Sequence, residues 1–385
     1  MRLSFIISIG IAFLFSSCTP SSSPENTEET PEPTMGFEEY NPTSTLVVPE
    51  HRVISAKYPF VDVHSHQYKM PNQDLSEVVA SMDSLNMGVM VNLSGRGFRR
   101  VGQQFDVNGH DYLVNSVKKV TDSYPNRFVV FTNISFIGIG NEGWTEEAVK
   151  GLEDDVKAGA KGLKIYKSLG FGVNDVDGNR VPVDDERLDA IWGKCGELGI
   201  PVLIHSADPK SFWDPMDADN ERWLELKTHP RRQRSDDDPA PWQQIIDEQH
   251  HVFEKHPNTI FINAHMGWYA NNLGKLGELM DKYPNMYAGI GAVIAELGRQ
   301  PRNAKKFFEK YQDRVLFGKD AWHPEEYPTY FRVLETDDEY FPYYKKYHAF
   351  WHMYGLDLSD EVLRKLYYKN ALNIIPDIDK SLFPG

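Results

Sequence analysis

The sequence predicts an α/β fold, a (β/α)8 TIM barrel that forms one catalytic domain with long loops after its strands. Eight short apolar runs recur along the chain, and amphipathic helix patterns separate them, so that strand and helix alternate throughout. Three of these runs follow nearly the same turn, an aromatic residue and then Pro-Asn, at 124–126, 256–258 and 283–285. Proline ends the preceding helix there, and asparagine tolerates the reversal.

The predicted elements follow each other in order. Their strand runs are apolar rather than alternating, which is typical of parallel strands that are covered on both faces. A doubly wound open sheet is the alternative, but no Gly-x-Gly-x-x-Gly directly follows a predicted strand as a dinucleotide fold requires; the one at 138–143 begins five residues after the third strand. The predicted strands span 60–63, 88–93, 127–133, 162–166, 201–205, 259–265, 286–290 and 315–317, and helix patterns include 74–85, 145–158, 185–198 and 242–255.

The N-terminus predicts export. A single positive charge at Arg2 precedes an apolar run at 5–15, which is shorter than the roughly 20 residues of a spanning helix, so 1–18 is interpreted as a signal peptide. Its end resembles the lipobox of bacterial lipoproteins, and Cys18 would then be acylated and hold the protein at the outer membrane or on the periplasmic side. Phe15 departs from the usual aliphatic residue, so secretion without an anchor is the alternative. Residues 19–45 are predicted to be a disordered linker, and 46–385 the barrel.

Composition narrows the range of partners. The formal net charge of -15 argues against nucleic acid, because phosphate binding needs a basic surface. Beyond Cys18 the sequence contains one cysteine, Cys195, which excludes an intramolecular disulfide in the mature chain. Cys195 lies in an amphipathic helix pattern and is predicted to be a small core residue. A small-molecule substrate is therefore expected, with membrane contact only through the lipid anchor.

Ligand-type residues fall at the ends of four predicted strands, where a barrel carries its active site. His64 and His66 follow the first strand two residues apart, so they point to the same side. His205 ends the fifth strand, His265 the sixth, and Asp320 follows the eighth. A single histidine at a strand end is commonly a hydrogen-bonded polar residue, but the same register at four strands favours a metal site.

These residues, together with Asn370-Ala371-Leu372 after the last helix pattern, resemble the amidohydrolase superfamily. The resemblance extends from about 60 to 375 and is strongest to the branch that contains metal-dependent hydrolases, lactonases and the aminocarboxymuconate-semialdehyde decarboxylase group. It implies that His64, His66, His205 and Asp320 hold the metal, while His265 faces the reacting group. Lys319 stands where the family more often has serine or threonine.

Lys164, in the fourth strand, has two interpretations. Dinuclear members of the superfamily carry a carboxylated lysine at this place, so Lys164 could bridge a second metal ion. An ammonium group that contacts the substrate, beside Tyr166 on the same side of the strand, is the other interpretation. One ion is preferred over two. Histidine and aspartate suit zinc, manganese or iron, with zinc preferred.

The loops after the strands predict how substrate is held. Arg96, Arg99 and Arg100 follow the second strand, and guanidinium groups are suited to bidentate binding of a carboxylate, although a surface charge cluster fits equally well. The segment 205–241 is far longer than a typical βα loop of about 2 to 6 residues and is expected to cover the site. Trp268 is expected at the barrel mouth as an apolar pocket wall.

The sequence predicts an enzyme. A divalent ion held by three imidazoles and a carboxylate lowers the pKa of a bound water towards roughly 7, so the leading hypothesis is hydrolysis of an amide, ester or lactone by metal-bound hydroxide. Asp320 would act as general acid and base, and His265 would polarise the carbonyl. The alternatives are decarboxylation of an aromatic or unsaturated acid and, from another class, a surface lipoprotein that binds metal or solute without turnover. A homodimer is a further expectation.

Overall fold

The computed structural model describes residues 35–36, 39–101, 104–348 and 350–385. The chain divides into two compact units, Met1–Pro42 and Thr43–Gly385, and the second contains the barrel. The predicted signal peptide, its Cys18 and most of the predicted linker lie outside the described residues. Within the described ranges, no helix combines the length and the apolar character that crossing a membrane requires.

Eight parallel strands form the barrel in the described part of the chain, and every one lies where the sequence predicted it. Consecutive buried apolar side chains, such as Met90 and Val91 in the second strand, explain why the runs lack alternation. The strands are β1 (Phe60–Ser65), β2 (Met87–Asn92), β3 (Phe128–Val130 and Thr132–Asn133, interrupted at Phe131), β4 (Leu163–Ile165), β5 (Val202–Ile204), β6 (Phe261–Asn263), β7 (Met286–Gly289) and β8 (Val315–Leu316).

Each strand pairs in parallel with the next along the chain. Two backbone hydrogen bonds make the ring continuous. The N–H of Phe131 donates to the carbonyl of Asn92 at 3.0 Å across the interruption of β3, and the N–H of Val63 donates to the carbonyl of Phe317 at 3.0 Å between β1 and β8. The closed parallel sheet confirms the predicted (β/α)8 class over a doubly wound open sheet.

Helices surround the strands. The helix patterns predicted at 74–85, 145–158, 185–198 and 242–255 correspond to the helices Ser76–Leu85, Trp144–Lys157, Asp189–Glu197 and Trp242–Lys255, and the buried Cys195 lies in the third of these as expected. The helices are α1 (Ser76–Leu85), α2 (His110–Ser123), α3 (Trp144–Lys157), α4 (Asp189–Glu197), α5 (Trp223–Thr228), α6 (Trp242–Lys255), α7 (Leu273–Lys282), α8 (Ile294–Gly298), α9 (Pro301–Lys310), α10 (Tyr327–Glu335), α11 (Asp360–Arg364) and α12 (Asn370–Ile374).

Three insertions decorate the barrel. A short antiparallel hairpin, Arg99–Val101 with Gln104–Asp106, follows β2. The segment between β5 and α6 carries α5 and two single-turn helices, Lys210–Phe212 and Pro230–Arg232. After α10, Phe341–Pro342 pairs antiparallel with His352–Met353 and brackets the turn Lys346–His348. The last two insertions supply side chains to the cavity described below.

Candidate functional site

The end of β1 carries the first two residues of the site. β1 is buried along its whole length, and its alternation puts His64 and His66 on one side, with ring centroids 5.5 Å apart. His64 is 1% exposed. The chain after β8 passes so close to β1 that a Cβ on Gly318 would lie 2.8 Å from the Cβ of His64, so this position requires glycine.

Asp320 follows β8 and faces both histidines. Its Oδ1 lies 3.2 Å from Nε2 of His64 and 3.6 Å from Nε2 of His66. The N–H of Asp320 donates to the carbonyl of His64 at 2.7 Å, and its φ of 89° is unusual for a residue with a side chain. Backbone strain of this kind costs about 1–3 kcal/mol and is concentrated at functional sites.

Burial keeps the imidazoles neutral, which is the state that binds metal. Burial lowers the pKa of His64 to about 3, against the opposing charge of Asp320. Nδ1 of His64 has no hydrogen-bond partner among the described residues, and Nε2 lies close to the Asp320 carboxylate without forming an aligned hydrogen bond to it. Burial also lowers the pKa of His66, whose Nδ1 lies 2.8 Å from the hydroxyl of Ser94. Unpartnered buried nitrogens are costly unless something binds them, so this donor set fits a divalent ion.

His205 and His265 follow β5 and β6 and are linked to each other. Nδ1 of His265 lies 2.7 Å from the carbonyl of Gly291, which assigns the ring proton to Nδ1 because a carbonyl only accepts. Nε2 of His265 is then an acceptor, and Nδ1 of His205 lies 3.3 Å away as its donor. The buried Nε2 of His205 keeps a free lone pair with no described partner. This chain therefore presents His205 in the tautomer that binds metal.

The structure brings part of the predicted ligand set together. The ligand atoms of His64, His66 and Asp320 all lie within 4.8 Å of one another, and His205 is not in that group. His205 borders the same cavity as Asp320. The role predicted for His265, polarising a carbonyl, needs a proton on Nε2, whereas the neutral ring places its proton on Nδ1. Burial lowers the pKa of His265 to about 4, so the ring is neutral near pH 7 and its Nε2 accepts a hydrogen bond rather than donating one.

Lys164 lies in β4 and Tyr166 directly follows that strand, and the surroundings of the two side chains differ. Lys164 is 1% exposed, and its Nζ has no hydrogen-bond partner among the described residues. Burial lowers its pKa to about 7, so a neutral amine is accessible near neutral pH. The hydroxyl of Tyr166 lies 2.8 Å from that of Ser94, which contacts His66, and donates to the carbonyl of Leu93. Tyr166 thus positions His66 through Ser94, an arrangement that the sequence did not predict.

The three predicted substrate arginines do not line the cavity beside Asp320. The guanidinium of Arg96 binds the buried carboxylate of Asp155 with two contacts of 2.7 Å, in a different cavity beside α3. Arg99 lies on the hairpin after β2 and pairs with Asp106 at 2.9 Å, and Arg100 is exposed on the same hairpin. The partner of Arg96 lies 59 residues away in sequence, and that of Arg99 lies 7 residues away on the facing strand of the hairpin, so the spacing of the arginines alone did not reveal either pair.

A cavity of about 180 Å³ opens beside Asp320, His205 and His265. Trp268 forms one wall as predicted, with its ring stacked on His265 at 4.4 Å. The segment after β5 lines this cavity, which confirms that the long loop covers the site. Among the lining residues, the sequence analysis did not predict the lysine, arginine and histidine side chains of Lys167, Arg222, Arg232, Lys345 and His348.

The cluster Arg231, Arg232 and Arg234 is followed closely in sequence by Asp236, Asp237 and Asp238, a pattern that is typical of a solvated loop. Instead Arg232 pairs with Glu225, and Arg234 pairs with Asp208 at 3.0 Å. Asp208 is itself only 3% exposed and also binds Lys167 at 2.6 Å. Arg232 is therefore part of the cavity wall and Arg234 is held by a buried carboxylate, whereas Arg231 is exposed.

A closed parallel barrel with neutral histidines and an aspartate at the carboxyl ends of its strands defines a class, the barrel enzymes with a metal centre at the strand ends. The family model described as Amidohydrolase matches residues 61–376. This chain belongs to that amidohydrolase family, whose catalysis depends on metal.

Solved structures with a similar fold include several enzymes. Dihydroxybenzoic acid decarboxylase from Polaromonas sp. JS666, with bound manganese and the inhibitor 2-nitroresorcinol, is 13% identical over 82% of this chain and 96% of its own, with a TM-score of 0.50. 5-Carboxyvanillate decarboxylase from Novosphingobium aromaticivorans is 14% identical over 84% and 99%, with a TM-score of 0.48. 4-Oxalomesaconate hydratase from Rhodopseudomonas palustris is 14% identical over 84% and 97%, with a TM-score of 0.49. A comparison of this sequence with curated proteins found no match.

Proposed function

We propose that this chain is a metal-dependent hydrolase that acts on an amide, ester or lactone of a small, carboxylate-bearing substrate. The observation that carries the proposal is the convergence of His64, His66 and Asp320 within 4.8 Å of one another, beside a cavity with cationic side chains. The cavity, at about 180 Å³, is smaller than the roughly 300–1,000 Å³ of pockets for drug-sized ligands, which supports a small substrate.

His64, His66, His205 and Asp320 would hold one ion, and we propose zinc, with manganese or iron as alternatives. The unpartnered nitrogens of His64 and His205 support this assignment, since neutral imidazole and carboxylate suit all three metals. A divalent ion supplies Lewis acidity at the reacting carbonyl and makes water a stronger nucleophile at neutral pH. Lys164, with a pKa of about 7, supports either earlier interpretation, carboxylation to bridge a second ion or direct substrate contact.

Asp320 would move the protons. Its side chain borders the cavity and is 36% exposed, so a water molecule beside it has access to the carboxylate. An ionised carboxylate at this place accepts a proton from the attacking water and later returns it to the leaving group. Nε2 of His265 would keep His205 in the tautomer that binds metal, because it accepts from Nδ1 of that ring. Trp268, stacked on the His265 ring, keeps it in place and excludes water from one side.

Decarboxylation of an aromatic acid is the second candidate. Two exposed rings favour it: Tyr68 is 45% exposed and stacks on His66 at 5.3 Å, and Phe98 is 40% exposed and lies 5.2 Å from Tyr68. Exposed aromatic rings beside the ligands offer a flat surface to a flat substrate. The unpaired ammonium of Lys164 would attract the leaving carboxylate, and Asp320, after taking a proton from water, would deliver that proton to carbon as carbon dioxide leaves.

Metal content is the first experiment. The purified full-length chain should contain close to one metal ion after growth with zinc or manganese, and His64→Ala should lose it. His251→Ala, an exposed histidine on α6, is the matched control and should retain the metal. A wild-type chain with far less than one ion would contradict the proposal.

A substrate screen then separates the two reactions. Lactones, amides and esters are assayed by proton release with a pH indicator, and aromatic acids by release of carbon dioxide. Proton release with the carboxylate-bearing esters or lactones is the expected result. Carbon dioxide from aromatic acids alone would replace hydrolysis by decarboxylation.

Export as a lipoprotein remains a proposal based on residues 1–18. Cys18→Ser should move the protein from the membrane fraction to the soluble periplasmic fraction, whereas Cys195→Ser should not. An unchanged distribution would favour secretion without an anchor. We also propose a homodimer, which light scattering would detect as twice the molar mass of one chain.

A further inference from the structure

The cavity has a second polar wall that the proposed hydrolysis does not use. Lys345, Tyr347 and His348, from the insertion after α10, line it together with Arg232 from the insertion after β5. We call these four residues the distal wall. They share one cavity with Asp320, His205 and His265, so a small molecule at the metal ligands also meets this wall.

The two arginines of this part of the cavity, Arg232 in the distal wall and Arg222 beside it, already have partners. Arg222 is 6% exposed and binds Glu225 at 2.8 Å and also Glu296. Arg232 binds the other oxygen of Glu225. Two guanidinium groups therefore face two carboxylates, and this network is close to neutral. It makes a rigid base rather than a free binding site.

Lys345 differs from these arginines. It is half-buried at the cavity, and its ammonium forms no ion pair with any carboxylate of the described residues; the aromatic ring of Tyr344, 5.8 Å away, is its neighbour. Beside it the cavity also contains Lys167, whose partner Asp208 is shared with Arg234, so one more cation is in excess there. In a chain of net charge -15, this wall is locally positive. Such a wall attracts an anion.

His348 provides a second, independent observation. It is 5% exposed, borders the cavity, and its buried Nδ1 has no hydrogen-bond partner among the described residues. The nearest carboxylate oxygen, from Glu225, is 3.7 Å away, beyond hydrogen-bond distance. Burial and the cations Arg222, Lys345 and Arg232 lower the pKa of His348 to about 2, so the ring is neutral and presents one N–H donor. A buried polar atom of this kind is costly unless a ligand pairs with it.

We infer that the distal wall binds a second carboxylate of the substrate through Lys345 and His348, so that the natural substrate is a compact diacid. This inference rests on the proposed function for the reaction at the other end of the molecule. One anionic group would react or lie near Asp320, and the other would pair with the unpaired ammonium. A monoanionic carboxylate matches one lysine and one neutral donor better than a dianionic phosphate does.

The experiment uses isophthalate and benzoate, two ring acids that differ by one carboxylate, with the whole metal-loaded chain in isothermal titration calorimetry. Wild type should bind isophthalate at least tenfold more tightly than benzoate. Lys345→Met should remove that difference, leave benzoate affinity unchanged and reduce the salt dependence of isophthalate binding. Lys345→Arg should restore most of the difference. Lys306→Met, which removes an exposed charge on α9, is the matched control.

Several outcomes would overturn the inference. Equal affinities for the two acids in wild type, or an undiminished preference in a folded Lys345→Met variant, would do so. If Lys345→Met unfolds, His348→Phe and Lys345→Arg carry the same comparison. Inorganic phosphate bound as tightly as isophthalate would show a general anion site instead of a carboxylate site. Failure of the proposed function is distinguishable, because it appears as missing metal or missing turnover, which binding of isophthalate does not measure.

Discussion

The carboxyl ends of the strands and the loop after β2 both contain residues that the sequence analysis predicts to be functional, but only the residues at the strand ends come together in one site. His64, His66 and Asp320 converge on one point. Arg96 and Arg99, equally conspicuous in sequence, are instead bound to Asp155 and Asp106. At the end of a strand, pleating and parallel pairing determine the direction in which a side chain points. A loop side chain follows whichever partner the folded chain brings near it.

Loss of the Asp320 carboxylate should have the largest effect on the strand-end side of this comparison. Asp320→Asn keeps the shape but removes the charge and the proton acceptor, so kcat/KM should fall at least a hundredfold, about 2.7 kcal/mol or more. Metal content measured on the same sample shows whether the ion is lost as well. Glu325→Gln, on the turn after Asp320, is the matched control. An unchanged rate would show that Asp320 has no catalytic role.

The fold and the directions of the strand-end residues could be predicted because they depend on local rules. Period-two alternation places His64 beside His66, and every barrel brings the carboxyl ends of its strands to one face. The distal wall could not be predicted, because Lys345 and Arg232 are more than a hundred residues apart in sequence and meet only through two insertions. The bond between His265 and Gly291 was hidden for the same reason, since it depends on a backbone carbonyl that leaves no trace in residue type.

Removal of Arg96 tests the loop side of the comparison. Arg96→Met leaves the fully buried carboxylate of Asp155 with only His110 and Thr132 as partners. Breaking a buried pair in this way costs roughly 3 kcal/mol, so the free energy of unfolding measured with urea should fall by about that amount. Affinity for a carboxylate probe should stay the same in the folded variant. A loss of affinity without a loss of stability would restore Arg96 as a substrate residue.

A histidine outside the site separates burial from metal binding. His250 on α6 is 6% exposed, and burial lowers its pKa to about 4. Because the folded pKa lies below the unfolded value of about 6.5, the neutral ring stabilises the fold above pH 6.5, and this stabilisation is lost as the pH falls towards 4. The loss amounts to about 3 kcal/mol at 1.36 kcal/mol per unit.

Unfolding in urea at pH 7 and pH 4.5 measures this effect. His250→Phe should lose less stability on acidification than wild type, by up to about 3 kcal/mol, with or without a chelator. His251→Phe, the exposed neighbour, should follow wild type. Parallel curves for wild type and His250→Phe would mean that burial does not lower the pKa of His250. The neutral state of His64, which was assigned on the same grounds, would then need another cause.

The smallest effect is expected for Arg99. It tests whether an arginine in the loop after β2 contacts the substrate, as the sequence predicted. The Arg99 side chain is 51% exposed, and its pair with Asp106 lies on the hairpin after β2 rather than in the cavity. Exposed pairs contribute at most about 1 kcal/mol, so Arg99→Gln should change the free energy of unfolding by less than that. KM for a carboxylate substrate should change less than twofold, whereas Lys345→Met should raise it clearly. If Arg99→Gln raised KM tenfold with no change in stability, the hairpin would have to fold over the barrel mouth during catalysis, and the guanidinium predicted from sequence would contact substrate after all.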